Sequence, residues 1–218
     1  MTGVVSRPRA DLARAEGLRP RVAWDPAKRV FDVVAALALL VFFAPSLLLV
    51  ALLIRLESPG PVLFRQARGG LSGRPFMIYK FRSMRCDDSG ETVVQAARVD
   101  DRITRVGRFI RKTSIDELPQ LLNVLKGDMS LVGPRPHARV HDEHYGGLIP
   151  GYALRQRARP GLTGLAQIQG LRGGTEDIES MARRVRADIA YIETWSFAAD
   201  LRIMLLTAPH LLGAENAY

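Results

Sequence analysis

Between Val33 and Ile54 the chain carries 22 consecutive residues without an ionisable group, and Ser46 is the one conventionally polar side chain among them. As a straight helix this run reaches about 33 Å, close to the thickness of a bilayer's hydrocarbon core. Apolar runs of this length are rare in small soluble domains, so the segment reads as membrane-embedded rather than as a core helix. A mostly polar stretch precedes it and no small-residue cleavage site follows closely, which argues against a secretory signal. Pro45 lies near its middle, where the ring removes the hydrogen bond to the Val41 carbonyl, so the helix is expected to kink or break there. Each half would then reach about 17 Å, roughly half the hydrocarbon thickness. Residues 1–29 carry seven Lys/Arg and residues 55–85 carry seven more. A spanning helix normally shows a bias toward its cytoplasmic side, so equal flanks predict a re-entrant segment whose two ends stay on one face. The competing arrangement is a Pro-kinked spanning helix with a basic tail.

Charge and cysteine usage narrow the function classes. The 218 residues carry a formal net charge of +9, and 27 of the 31 basic residues are Arg. Such an excess points to an anionic partner: nucleic acid, a phosphate-bearing substrate or anionic lipid. Cys86 is the single cysteine, which excludes an internal disulfide framework and a multi-cysteine zinc ribbon and suits a reducing compartment. There is no Walker loop and no G-x-G-x-x-G, against a P-loop kinase or a Rossmann enzyme. A nucleic-acid reading would rest on Arg183-Arg184-Val185-Arg186, which has no interleaved aromatics, so nucleic acid is not expected as a partner.

Beyond the apolar run the pattern is mixed α and β. Val62–Gln66 and Pro75–Phe81 flank Gly69, Gly70 and Gly73 and read as a hairpin. Ser83–Asp101 reads as an exposed loop, Arg102–Lys112 as a basic helix, Glu117–Lys126 as a helix with a leucine face, and Met129–Val132 as a short buried strand. Pro160–Gly164 reads as a turn leading into extended Leu165–Gln169, and helices cover Asp177–Trp195 and Phe197–Leu212. Several of these helices are amphipathic and basic, suited to a bilayer interface or to core packing.

The strongest chemical candidate is the adjacent pair Asp116-Glu117, just after Arg108, Arg111 and Lys112. Ser114-x-x-Glu117 has the spacing of a capping box. Helix amides and nearby Arg are expected to lower the pKa of Asp116, keeping it ionised as a nucleophile or metal ligand. The same cations could hold phosphates, and two carboxylates beside a diphosphate make a plausible Mg²⁺ site. Gly133-Pro134-Arg135-Pro136 fixes one Arg between prolines, and Arg159-Pro160-Gly161 offers another Arg with glycines that let backbone approach a ligand. His137, His141 and His144 could share a helix face, but without an H-E-x-x-H pattern zinc is disfavoured.

Five segments in order carry a resemblance: Lys28-Arg29-Val30-Phe31-Asp32, Tyr79-Lys80-Phe81-Arg82-Ser83-Met84, Thr113 to Gln120, Lys126 to Pro136, and Arg159 to Gly164. Over about Lys28–Leu212 the chain resembles the bacterial sugar transferase family, the monotopic phosphoglycosyl transferases that act on polyprenyl phosphate. The resemblance implies transfer of sugar-1-phosphate from a UDP-sugar to polyprenyl (undecaprenyl) phosphate, with release of UMP, to start surface glycan or exopolysaccharide assembly. It implies Asp116 as the nucleophile forming a covalent phosphosugar, Glu117 as metal ligand or acid/base helper, and Lys80, Arg111 and Arg135 as phosphate-binding residues; Arg159 joins them from the turn reading. Mg²⁺ held by Asp116 and Glu117 is the expected cofactor. Two departures stand out: Ala44 rather than Ser precedes Pro45, and Leu165 stands where many members have Trp. The expected architecture is α+β: a polar tail over 1–27, a re-entrant, Pro-broken membrane helix over 28–56, and a compact cytosolic α/β catalytic domain with interfacial amphipathic helices over 57–218. The expected location is the bacterial inner (cytoplasmic) membrane, with that domain on the cytoplasmic face.

Overall fold

The computed structural model describes residues 20–85, 100–171 and 177–212. A short helix α1 (Arg21–Trp24) leads into α2 (Pro26–Glu57), which holds the apolar run. Asp25 caps α2 by accepting from the Lys28 amide at 2.9 Å, and Pro26 occupies the first turn, where a missing N–H costs nothing. The helical segment runs without interruption across Pro45, so the expected break into two elements is not seen. A proline can be absorbed within a continuous helix, because one lost hydrogen bond among 32 residues need not end the segment. Val41 (68 % exposed) and Phe42 (75 %) are typical of its apolar surface, which the other described residues leave uncovered.

Both ends of α2 are buried against one folded body. At the start, the Lys28 ammonium donates to Asp200 at 2.6 Å and to the Val132 carbonyl at 3.2 Å. Asp32 accepts from the Ser130 hydroxyl at 2.7 Å and the Leu131 amide at 3.1 Å, and Ala36 sits in the main core. At the far end, Val50 and Ile54 pack with Phe81 and Ile110. There the Arg82 guanidinium donates to the carbonyls of Ser58 (2.7 Å) and Pro59 (2.6 Å).

The body itself is α+β. β1 (Leu63–Gly69) and β2 (Pro75–Phe81) form the expected antiparallel hairpin, with Phe64 opposite Lys80 and Arg68 opposite Phe76. The open edge of β2 is covered by fully buried Asn123, which accepts from the Tyr79 amide at 3.0 Å and donates to the Met77 carbonyl at 2.7 Å. Helix α3 (Arg105–Lys112) follows, capped by Thr104 and by the Glu57 carboxylate at the end of α2. A 3₁₀ segment (Ile115–Gln120) runs directly into α4 (Leu121–Lys126), which closes on Gly127 in the left-handed region (φ 92°).

β3 (Ser130–Val132) pairs in parallel with β4 (Gly161–Thr163). This revises the reading of Pro160–Gly164 as a turn only; Leu165–Ile168 is a short helix, α6, rather than extended chain. The glycines of both segments serve this crossing and not ligand approach: a Cβ on Gly161 would lie 2.1 Å from the Gly133 nitrogen. Helix α5 (Arg139–Leu148) lies between β3 and β4 in sequence, and α7 (Ile178–Glu193) and α8 (Phe197–Leu212) finish the described chain. The expected loop over Ser83–Asp101 falls mostly outside the described residues.

Candidate active site

Pro119 lies inside the 3₁₀ segment Ile115–Gln120, where it can donate no backbone hydrogen bond. Ser114, immediately before that segment, has a left-handed backbone (φ 57°), and the expected capping box does not form. Its hydroxyl makes no cap hydrogen bond; instead its carbonyl accepts from the Glu117 amide at 3.1 Å, closing a 3₁₀ turn. The Glu117 side chain is thereby free to turn toward the hairpin and the segment after β3. Its Oε1 accepts from the Lys80 ammonium at 2.9 Å and from Arg135 Nη2 at 2.6 Å, while Oε2 accepts from Arg135 Nη1 at 3.1 Å. The Arg135–Glu117 contact is a two-pronged guanidinium–carboxylate pair, the geometry that fixes both planes.

Asp116 is next to this cluster and has a different environment. Its carboxylate accepts no hydrogen bond among the described residues, and the charges of Lys80, Arg111 and Arg135 all act on it. Burial and the neighbouring Glu117 carboxylate outweigh those cations and push its pKa up to about 6. The expectation of a lowered pKa is therefore corrected: burial, first, and the adjacent Glu117 carboxylate outweigh the three cations, two of which share their charge with Glu117.

Four of the expected phosphate-binding and catalytic groups therefore meet: Asp116, Glu117, Lys80 and Arg135, with Arg111 within electrostatic reach. Arg159 does not join them. Its guanidinium donates to the carbonyls of Gly127 (3.1 Å) and Ala23 (2.5 Å) and sits 5.9 Å from the Trp24 ring. A Pro-Gly turn fixes the backbone but not the side on which a long side chain leaves it, and here those two carbonyls capture the guanidinium.

Behind Arg135 lies a buried layer that sequence patterns did not reveal. The Arg155 guanidinium donates to the Arg135 carbonyl at 2.5 Å and to Asp188 at 2.8 and 3.0 Å. His137 is buried, with Nδ1 2.7 Å from the Tyr152 hydroxyl, which donates to Asp142 at 2.8 Å. Burial and the nearby Arg155 and Arg184 charges hold this imidazole well below its usual pKa, so it is neutral. Arg68 approaches the same layer from β1. Among the described residues no group of three or more His, Cys, Asp or Glu is placed to hold a metal ion, and the histidines at 137, 141 and 144 do not form one.

Comparison with known proteins returns one family. Residues 23–214 match the model described as "Bacterial sugar transferase". The chain is 64% identical over 205 residues to a UDP-glucose:undecaprenyl-phosphate glucose-1-phosphate transferase of Caulobacter vibrioides, covering 94% of this chain and 77% of that one. It is 51% identical over 180 residues to a protein of the same name from Escherichia coli, covering 83% of this chain but 39% of that one. It is 44% identical over 191 residues to a UDP-N-acetylgalactosamine-undecaprenyl-phosphate N-acetylgalactosaminephosphotransferase of Aeromonas hydrophila, covering 87% and 44% respectively.

Proposed function

Because the chain belongs to the bacterial sugar transferase family, we propose that it moves a sugar-1-phosphate, glucose-1-phosphate by its similarity to the Caulobacter relative, from a UDP-sugar to undecaprenyl phosphate. The observation that carries the reading is Asp116: a half-buried carboxylate with no hydrogen-bond donor among the described residues, beside a Lys80–Glu117–Arg135 ion cluster that fixes positive charge around it. In the first step an Asp116 oxygen attacks the sugar-proximal phosphorus. The new P–O bond forms as the phosphoanhydride breaks, and UMP leaves with the bonding pair. In the second step a phosphate oxygen of the polyprenyl acceptor attacks the same phosphorus. Undecaprenyl diphosphate sugar is formed and the Asp116 carboxylate is regenerated. Lys80, Arg111 and Arg135 bind and orient the phosphates, and Glu117 holds Lys80 and Arg135 in place.

Asp116 and Glu117 are the residues that would hold a Mg²⁺ ion here. Asp116 offers a carboxylate without a competing hydrogen bond among the described residues. Glu117 has both oxygens engaged, so it would reach an ion only by sharing one with Lys80 or Arg135. When bound, the ion neutralises charge on the phosphoryl oxygens.

A site at a membrane surface is what this pair of substrates requires, one soluble and one lipid-borne. The two ends of α2 are held by one folded body, which favours entry and exit on a single, cytoplasmic face of the inner membrane. The test is protein in nanodiscs with Mg²⁺, undecaprenyl phosphate and a panel of UDP-sugars. UMP release with at least one sugar, UDP-glucose first, is expected. Asp116→Asn should lose nearly all turnover, and a phosphosugar adduct on Asp116 should be trapped from donor alone. An active Asp116→Asn enzyme overturns the nucleophile.

A further inference from the structure

Arg68 sits near the end of β1, and strand register fixes where it faces. Residues directly opposite share a face, so Phe64, Gln66 and Arg68 of β1 lie on the side that carries Ile78 and Lys80 of β2. That side looks toward Glu117, through the Lys80 ion pair. The guanidinium is thereby brought beside Arg135, close enough that each cation's field acts on the other, with Glu117 and Asp142 the nearest opposite charges. Yet Arg68 makes no ion pair within 4.0 Å among the described residues. Both Glu117 oxygens are engaged by Lys80 and Arg135, and Asp142 accepts from Tyr152 and lies 3.8 Å from Arg155. The polar contacts of Arg68 are a 2.5 Å bond from Nη2 to Gln66 Oε1 and a long, 3.5 Å one from Nη1 to the Pro136 carbonyl. Its Nε is buried with no acceptor.

This arrangement is unfavourable by itself. A desolvated guanidinium next to another cation, with one donor unmade, is a group still lacking its counter-charge. Lys80, Arg111 and Arg135 act on Asp116, and Arg68 adds a fourth cation beside Arg135; they face Asp116, Glu117 and Asp142, the last already engaged by Tyr152 and Arg155. This excess of cations suits an anionic ligand, and the fork of a guanidinium suits two phosphate oxygens.

We propose that Arg68 is a further phosphate-binding residue of this site, donating to oxygens of the phosphates that pass between donor and acceptor. The proposal rests on the transferase reading for the identity of the ligand, but not for the existence of an anion site. It supplies from β1 the cation that the turn at Arg159 does not.

The test compares wild type, Arg68→Gln and Arg68→Lys, each in an Asp116→Asn background in nanodiscs, with folding followed by thermal midpoint. Three ligands are titrated separately: inorganic pyrophosphate, UDP-glucose, and undecaprenyl phosphate carried in the nanodisc. Loss of one charge-assisted hydrogen-bonding group predicts about 30-fold weaker pyrophosphate binding in Arg68→Gln. Arg68→Lys keeps the charge without the fork and should lose about 5-fold. Weakening of UDP-glucose alone places Arg68 on the donor diphosphate, and weakening of undecaprenyl phosphate alone places it on the acceptor. Weaker pyrophosphate binding by Arg68→Gln, in a protein whose wild-type site ignores both natural ligands, keeps the anion site and overturns the transferase reading. Unchanged pyrophosphate affinity in folded Arg68→Gln overturns the inference. Should Arg68→Gln not fold, unchanged affinity in Arg68→Lys overturns it equally.

Discussion

Asp116 and Glu117 are neighbours in sequence with opposite circumstances: one carboxylate is saturated with cations, the other is left to burial. With its pKa near 6, Asp116 is mostly ionised at neutral pH, and in the proposed reaction it would be a better nucleophile than a strongly acidic carboxylate. kcat/KM for the donor is expected to rise tenfold per pH unit below about pH 6 and level off above it, measured by UMP release. The same shift bears on stability. Between about pH 4 and pH 6 the folded chain holds a proton that the unfolded chain has released, so stability falls as pH rises through that window. Asp116→Asn removes the ionisation and should therefore stabilise the fold by about 2 kcal/mol at pH 7.5, with no gain below about pH 4, read by thermal or denaturant unfolding in detergent. The Asp116-Glu117 pair was legible from sequence as a candidate, because two adjacent carboxylates after three basic residues stand out. Its protonation was not, because which cations Glu117 would take from Asp116 depends on the hairpin folding over it. Arg68 was hidden for a related reason: a basic residue within a strand carries no motif, and only counting alternate positions from Lys80 across the hairpin would have found it.

At the scale of elements, the buried clamps set what each segment tolerates. Lys28→Met leaves Asp200 with the hydroxyl of Tyr191 and the indole of Trp195 but without its cation. A loss of about 3 kcal/mol is expected, with part regained in Lys28→Met/Asp200→Asn, since the isolated buried carboxylate is the costly state. At the β3–β4 crossing, Gly161→Ala would force a methyl group into backbone and should cost about 2 kcal/mol or more in the same unfolding assay. The hairpin and the last two helices were readable because alternation and helical periodicity persist over enough residues to be distinguished. The β3–β4 pair was half-readable: each strand is three residues long, too short for any period, and a parallel pairing across 31 positions leaves no local trace. Asn123 shows the same limit, since a polar residue in a leucine-rich helix gives no sign that it will close the edge of a strand.

For the whole molecule, the defining relation is one apolar helix held at both ends by one body. In a Cys86→Ser background, single cysteines at Arg21 and Arg74 should both resist a membrane-impermeant maleimide added outside intact cells, and both react after permeabilisation. Labelling of the Arg21 position alone from outside would overturn the single-face topology. The length and apolarity of the run were legible in the sequence; that both its ends pack on one body depends on distant partners such as Asp200 and Phe81. The continuity of the helix through Pro45 was not foretold, since a proline's effect depends on whether the surrounding segment is held from outside. Arg82 holds the C-terminal end of that helix and stands two residues from Lys80 on the same short stretch of chain. If the proposed site works at a bilayer, acyl chains of unmatched length would tilt this helix and tug on the ammonium paired with Glu117, so lipid composition would set the geometry of the cluster as well as anchorage.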